Sequence, residues 1–199
     1  DVGPPMVPSP WREINTLTVS YGHGIAVTPI QLVTAVAATV NGGVLKPATY
    51  LKNPSGTAGV RILSEETSAA IRWLMRLNVI MGSGQKAEVA GYLLGGKTGT
   101  AEKLINGRYS GDKRISSFVG AFPMDAPRYL VLVMVDEPHG NEATHGYATG
   151  SWVGAPITGR IVERLAPLLG VAPDTPDHVA ETDAALIPVS LGGRALASN

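Results

Sequence analysis

The chain has 199 residues, with 16 Lys and Arg against 16 Asp and Glu. It therefore carries no net charge and no electrostatic footprint for nucleic acid or an anionic membrane. Hydrophobic residues at 44% exclude intrinsic disorder as the main state, and the absence of cysteine excludes thiol catalysis, cysteine-ligated zinc and disulfides. Glycine and proline make up about one residue in five, below the low-complexity range of about 25–30%.

Residues 1–10 hold four prolines, which remove donors and fix φ, so no regular element is expected there. Thr28-Pro29-Ile30-Gln31 reads as a capping box with proline at the first helical position, opening a helix that stops at Asn41-Gly42-Gly43. A second helix starts at Ser64, with Glu65 and Glu66 at its positive end. Its apolar residues Ile71, Leu74, Met75 and Val79 follow helical spacing, and Gly82 ends it.

From Gly95 the pattern changes. Residues 115–122 and 128–136 are strand-length runs joined by five residues, which suits an antiparallel hairpin. The longest apolar run, 129–135, is far short of the roughly 20 residues of a membrane span. Ile157, Ile161, Leu165 and Leu168 recur at helical spacing, and Gly170 closes that helix. Residues 171–199, rich in Pro, Asp and Ala, read as a tail, leaving 1–170 as the folded part. The order of elements predicts α+β, with the last helix packed on an antiparallel sheet.

Two chemistries compete for one stretch. Gly91-Tyr-Leu-Leu-Gly-Gly96-Lys97-Thr98 matches the phosphate-loop string, and the run ending in Asp136 and Glu137 would supply a magnesium-holding pair. That nucleotide-binding reading needs a helix after Thr98, yet Gly99 follows at once and Asn106-Gly107 stops any helix early. The competing reading makes Lys97-Thr98-Gly99-Thr100 a strand. Thr98 and Thr100 then point to one face, Lys97 adds a cation, and Gly99 removes bulk so that a substrate can lie against the backbone. A cation with two hydroxyls would seat a carboxylate. This is the K-[ST]-G element of active-site-serine acyltransferases.

Further segments, in register from Ser20 to Gly170, extend the match. They are Ser20-Tyr-Gly-His-Gly-Ile-Ala-Val-Thr-Pro-Ile-Gln-Leu32, Met81-Gly-Ser-Gly84 followed by Gly95-Gly-Lys-Thr-Gly-Thr-Ala101, Ser116-Ser-Phe-Val-Gly-Ala-Phe-Pro123, and Gly154-Ala-Pro-Ile157. Together they resemble class B penicillin-binding proteins, the monofunctional peptidoglycan D,D-transpeptidases, most of all the division-associated members. The resemblance implies the penicillin-binding protein and serine β-lactamase fold, and an acyl transfer in which a serine of an S-x-x-K motif attacks the D-Ala-D-Ala carbonyl. It implies that Lys97 polarises the site and helps proton transfer, that Thr98 and Thr100 hold the terminal carboxylate of a stem peptide or a β-lactam, and that the Thr100 N–H is an oxyanion-hole donor. It implies no cofactor, and cell-wall synthesis proteins of the division machinery as partners. It also places the protein at the periplasmic face of the inner membrane, on an N-terminal anchor outside this chain. A serine β-lactamase or β-lactam sensor of the same fold is the alternative within the resemblance.

The chain departs from the family's pattern. S-x-N does not occur, and the two S-x-x-K strings, Ser83 to Lys86 and Ser110 to Lys113, are read as decoys: Ser83 sits in a turn that ends a helix, and Ser110 between strands. The expectation is the C-terminal half of a transpeptidase domain, with the nucleophile supplied from outside these residues, the isolated chain inactive, and strand 128–136 left with an unpaired edge. Other candidates carry plainer readings. His139 and His145 around Asn141 and Glu142 match no ligand spacing and read as a polar loop, and His23 between glycines reads as a turn. Trp11, Trp73 and Trp152 read as packing, and Arg108 and Tyr109 are expected in a loop that could line the groove. No G-x-S-x-G occurs, against a Ser-His-Asp hydrolase.

Overall fold

The computed structural model describes residues 3–52, 56–105 and 107–186. The chain divides into two compact units, Asp1–Ser68 and Ala69–Asn199.

The first unit holds α1 (Glu13–Ser20), α2 (Pro29–Val40), the short strands β1 (Val44–Leu45) and β2 (Val60–Arg61), and the first turn of α3 (Glu65–Met81). The α2 start follows the capping box: Gln31 N–H donates to Thr28 Oγ1, and Thr28 N–H donates to Gln31 Oε1 at 2.9 Å. Its end is set by Gly42 and Gly43, both at positive φ, after which β1 and β2 pair antiparallel. Buried Ser68 ties the first turn of α3 to this end: its hydroxyl donates to Thr39 O at 2.7 Å and accepts from Gly42 N–H at 3.0 Å. Helix α1 has no buried residue: Ile14 and Leu17 stay exposed, its eight residues are too few to establish a period, and the sequence reading passed over it.

The second unit is built on an antiparallel sheet in the order β3–β4–β5: β3 (Gly95–Ile105), β4 (Arg108–Phe122) and β5 (Tyr129–Asp136). Both strands of the expected 115–136 hairpin are present, with β4 starting earlier than expected, at Arg108. Arg108 and Tyr109 are therefore not loop residues: they pair with Ile105 and Leu104 at the far end of the β3–β4 hairpin, and Ser110 follows them in β4. Among the described residues, β3 and β5 each pair on one side only.

Helix α4 (Gly154–Leu168) packs on β4 and β5. Its buried residues Ala155, Thr158, Gly159, Val162 and Ala166 recur every three or four positions, and a Cβ on Gly159 would lie 2.9 Å from Ala87 O. The core joins Val79 of α3, Ala87, Val89, Tyr92 and Leu94 of the following segment, Phe118 and Phe122 of β4, and Val162 and Ala166 of α4. Burying Phe118 and Phe122 stabilises the unit by roughly 1.5–3 kcal/mol each.

Helix α4 ends in a Schellman motif. Gly170 has φ +67°, Val171 N–H donates to Ala166 O at 2.9 Å, and Val171 joins the core. The expected tail is thus structured in its first part. Asp174 N–H bonds Gly91 O at 2.7 Å, and α5 (Pro176–Leu186) follows. Thr175 accepts from His178 N–H at the start of α5, the Thr-Pro signature that also opens α2. Residues 187–199 of that expected tail lie outside the described residues.

Candidate active site

The site forms on β3, an edge strand. Gly95 and Gly96 bring it close: a Cβ on Gly95 would strike Met124 and lie 2.9 Å from Arg76 N, and one on Gly96 would strike the Phe118 ring. The strand is then held from α3 by two side chains. Arg76 Nη1 donates to Leu94 O at 2.9 Å, and Asn78 Nδ2 donates to Gly96 O at 2.8 Å. Arg76 is 2% exposed, and its guanidinium also bonds Glu88 and Asp183, at 2.6 Å and 2.7 Å in its two ion pairs. Burial works against its charge, but hydrogen bonds to Asp183 and then Glu88 outweigh it, and its pKa is raised above the ordinary arginine range. Asp183 lies on α5, so the segment read as a tail helps to anchor the strand carrying the candidate site.

Lys97, Thr98, Gly99 and Thr100 follow, paired with Val119, Phe118, Ser117 and Ser116. Leu93 O bonds Met124 N–H, whereas Gly96 O and Thr98 O accept side-chain donors, Asn78 Nδ2 and Lys97 Nζ (2.8 Å). In an antiparallel strand, the backbone groups of alternate residues point the same way. By that alternation the N–H and C=O of Thr100 face the open edge with those of Thr98. The Thr98 and Thr100 side chains share one face, as their spacing predicts. Thr100 Oγ1 accepts from Gly150 N–H at 3.0 Å, and Thr98 Oγ1 lies 2.8 Å from Ser83 Oγ.

Gly99 also has a reason within the sheet. A Cβ there would lie 2.5 Å from Ser117 Oγ, so the strand partner takes the space. Gly150 also lies close: a Cβ on it would be 2.6 Å from Gly99 O. The 137–153 loop thus rests on β3 and β4, and Ser116 Oγ donates to Ala148 O. Within this loop, Tyr147 stacks on Trp152 with centroids 5.6 Å apart, His145 meets Trp152 edge-on, and Asn141 caps the turn at 142–144.

The S-x-x-K strings do not form nucleophile–lysine pairs. Lys86 Nζ sits 3.8 Å from the centroid of the Trp152 ring rather than on Ser83, and Lys113 Nζ pairs with Glu137 at 3.3 Å. Ser83 is nevertheless part of the site through Thr98. As a nucleophile it reads as a decoy, and its contact with Thr98, 15 residues away, is one that only the fold makes. Asn78, Ser117 and Gly150 were missed for the same reason.

The nucleotide-binding alternative fails on geometry. Lys97 and Thr98 lie inside a strand that turns at Gly107 into β4, so the helix that a phosphate loop leads into does not follow them. The acidic pair proposed for magnesium is neutralised by lysines. Lys103 Nζ lies 2.9 Å from Asp136 and 2.8 Å from Glu137. Hydrogen bonding to Glu137 and then Asp136 raises the Lys103 pKa, and Lys103 and then Lys113 lower that of Glu137.

Comparison with known proteins agrees with this fold. The family model described as the penicillin binding protein transpeptidase domain matches residues 2–163. The chain is 45% identical over 178 residues to a probable peptidoglycan D,D-transpeptidase FtsI of Caulobacter vibrioides, covering 84% of this chain and 30% of that protein. It is 41% identical to stage V sporulation protein D of Bacillus subtilis, covering 80% of this chain and 26% of that protein. Among solved structures, the apo transpeptidase domain of Burkholderia pseudomallei penicillin-binding protein 3 superposes with TM-score 0.74 at 37% identity, over 84% of this chain and 50% of that one. Penicillin-binding protein 3 of Mycobacterium tuberculosis, complexed with ampicillin, superposes with TM-score 0.73 at 27% identity, over 87% of this chain and 42% of that one. The chain spans less than a third of the length of these two curated relatives. With the family model matching most of its length and the fold shared with solved members, this chain belongs to the transpeptidase-domain family of the class B penicillin-binding proteins.

Proposed function

We propose that this chain supplies the carboxylate-seating and oxyanion-stabilising side of a peptidoglycan D,D-transpeptidase site. The observation that carries the reading is the paired hydroxyls of Thr98 and Thr100 on the open edge of β3, beside Lys97. A D-Ala-D-Ala stem peptide, or a β-lactam, lies along this edge. Its terminal carboxylate accepts from the two hydroxyls, and the positive charge of Lys97 lowers the cost of bringing an anion there.

The N–H of Thr100 meets the scissile carbonyl oxygen as negative charge develops on it. A preorganised donor of this kind lowers the barrier by about 3–4 kcal/mol. The serine nucleophile, its lysine base and an S-x-N serine come from sequence outside these residues. Attack displaces D-Ala and leaves an acyl-serine, which the amine of a neighbouring stem then takes over, releasing the serine. A β-lactam carries its leaving amine in a ring, so the acyl-enzyme persists.

The relatives named as D,D-transpeptidases favour cross-linking over β-lactam hydrolysis. The same kinship supports a division role at the periplasmic face of the inner membrane, among cell-wall synthesis proteins. The test is covalent labelling of the full-length protein by a fluorescent penicillin. Wild type labels and releases the label slowly, Lys97→Ala loses most labelling, and the isolated 199-residue chain takes none. Rapid release would make it a β-lactamase, and no labelling of the full-length wild type would end the acyl-transfer reading.

A further inference from the structure

Thr98 and Thr100 look equivalent by spacing, but their hydroxyl oxygens have different partners. Thr100 Oγ1 accepts from Gly150 N–H at 3.0 Å, which leaves its own proton for a ligand. Thr98 belongs to a longer chain of bonds. Asn78 Nδ2 donates to Gly96 O at 2.8 Å, which orients the amide so that Oδ1 faces Ser83. That oxygen receives both Ser83 N–H, at 3.1 Å, and Ser83 O–H, at 3.2 Å. Ser83 Oγ then lies 2.8 Å from Thr98 Oγ1.

A hydroxyl has one proton to give. With the Ser83 proton on Asn78, the Ser83–Thr98 bond must use the proton of Thr98. Lys97 Nζ, 3.4 Å away, can only donate to Thr98 Oγ1. In this state the Thr98 hydroxyl has nothing to offer a carboxylate.

We infer that Asn78 and Ser83 are positioning residues that switch the polarity of the Thr98 hydroxyl when an anionic ligand enters. The Ser83 proton turns from Asn78 Oδ1 to Thr98 Oγ1, and the Thr98 proton turns to the ligand carboxylate. Each proton stays on its own oxygen; only the two hydroxyls rotate. Asn78 Oδ1 keeps the Ser83 N–H, so the turn strands no acceptor. The aligned chain from Ser83 through Thr98 to the carboxylate polarises each bond in it, which makes Thr98 a stronger donor. The ligand class is a carboxylate-bearing acyl donor, and the inference rests on the carboxylate-seating reading of Lys97 to Thr100.

The experiment measures second-order acylation rates of the full-length protein by a penicillin and by its uncharged methyl ester. The variants are Ser83→Ala, Ser83→Thr, Thr98→Val and the double Ser83→Ala/Thr98→Val, with thermal melting alongside. A hydrogen bond to a charged group is worth enough that Ser83→Ala should slow the acid by about tenfold, and the ester by less than about twofold. Ser83→Thr should restore the rate with the acid. In the Thr98→Val background, Ser83→Ala should add no further loss, because nothing remains for it to turn. Equal losses on acid and ester, or additive losses in the double variant, would overturn the switch and leave Ser83 as a turn residue. An unaffected Ser83→Ala in a wild type that acylates normally would overturn the switch alone. A wild type that neither ligand acylates would bring down the acyl-transfer reading, and the switch with it.

Discussion

The two ends of the β3–β4–β5 sheet are held by opposite kinds of electrostatics. At the site end, one arginine, 2% exposed, joins α3, Glu88, α5 and the carbonyl that leads into β3. At the other end, Lys103 and Lys113 meet Asp136 and Glu137 in water, beside the exposed side chains of Leu104 and Tyr109. Both clusters look ionic, but only the first has a buried member, the Arg76 guanidinium. A buried guanidinium that loses its partners, or leaves its partners uncompensated, is expensive, whereas a solvated pair is screened and contributes little. The contrast suits the chemistry proposed at each end: a carboxylate seat must hold its hydroxyls in place, and a hairpin tip has no such task.

The largest effect should come from Arg76→Met, which leaves Glu88 and Asp183 facing an apolar side chain and frees Leu94 O. Loss of about 3–5 kcal/mol in urea unfolding is expected. A loss under about 1 kcal/mol would show that the cluster is no more than a surface pair. Next, Gly150→Ala places a methyl 2.6 Å from Gly99 O and against Ser117 O, so the loop must lift from the strand. It should cost about 1–3 kcal/mol. In the full-length protein it should also slow penicillin acylation, because the lift takes the Gly150 N–H from Thr100.

Gly107→Ala tests the far end. Its Cβ would meet nothing within 4 Å, so only the backbone at φ +78° resists it. The expected loss is about 1–2 kcal/mol, with no change in acylation. A loss of acylation would mean that strain at the tip travels along β3 to the site.

The smallest effect is expected for Lys103→Met at neutral pH, where unfolding should show no resolvable change. Its pH dependence is more informative. The Glu137 pKa is lowered in the fold, so its contribution is present above the ordinary glutamate range and is lost as pH falls through and below that range. The Lys103 pKa is raised, so its contribution is present below the ordinary lysine range and is lost as pH rises through and above it. Lys103→Met should flatten both limbs of the stability–pH curve, and unchanged limbs would place their origin elsewhere.

Local signals carried much of the fold. Thr28 with Gln31, the spacing of Ile71 to Val79, and Gly170 at the end of α4 each act within a few residues of themselves, so they could be read without tertiary structure. The Thr175-Pro176 signal was equally local, but the composition around it suggested a tail and α5 was passed over. For the candidate site, strand alternation was enough to put the Thr98 and Thr100 hydroxyls on one face; Lys97 starts on the other face and reaches Thr98 through its long side chain.

Long-range neighbours could not be read in this way. Spacing along β3 says nothing of Ser83 and Asn78 meeting Thr98 and Gly96, of Gly150 resting on Gly99, or of Asp183 reaching back 107 residues to Arg76. These contacts exist because burying Phe118, Leu94 and Val162 draws distant segments together. Polar groups that are buried with them must find partners wherever the fold puts them. Periodicity and capping act over one turn or one strand and so belong to the sequence. The hydrogen-bond partners of Thr98 depend on separate segments meeting, which only the packed core brings about.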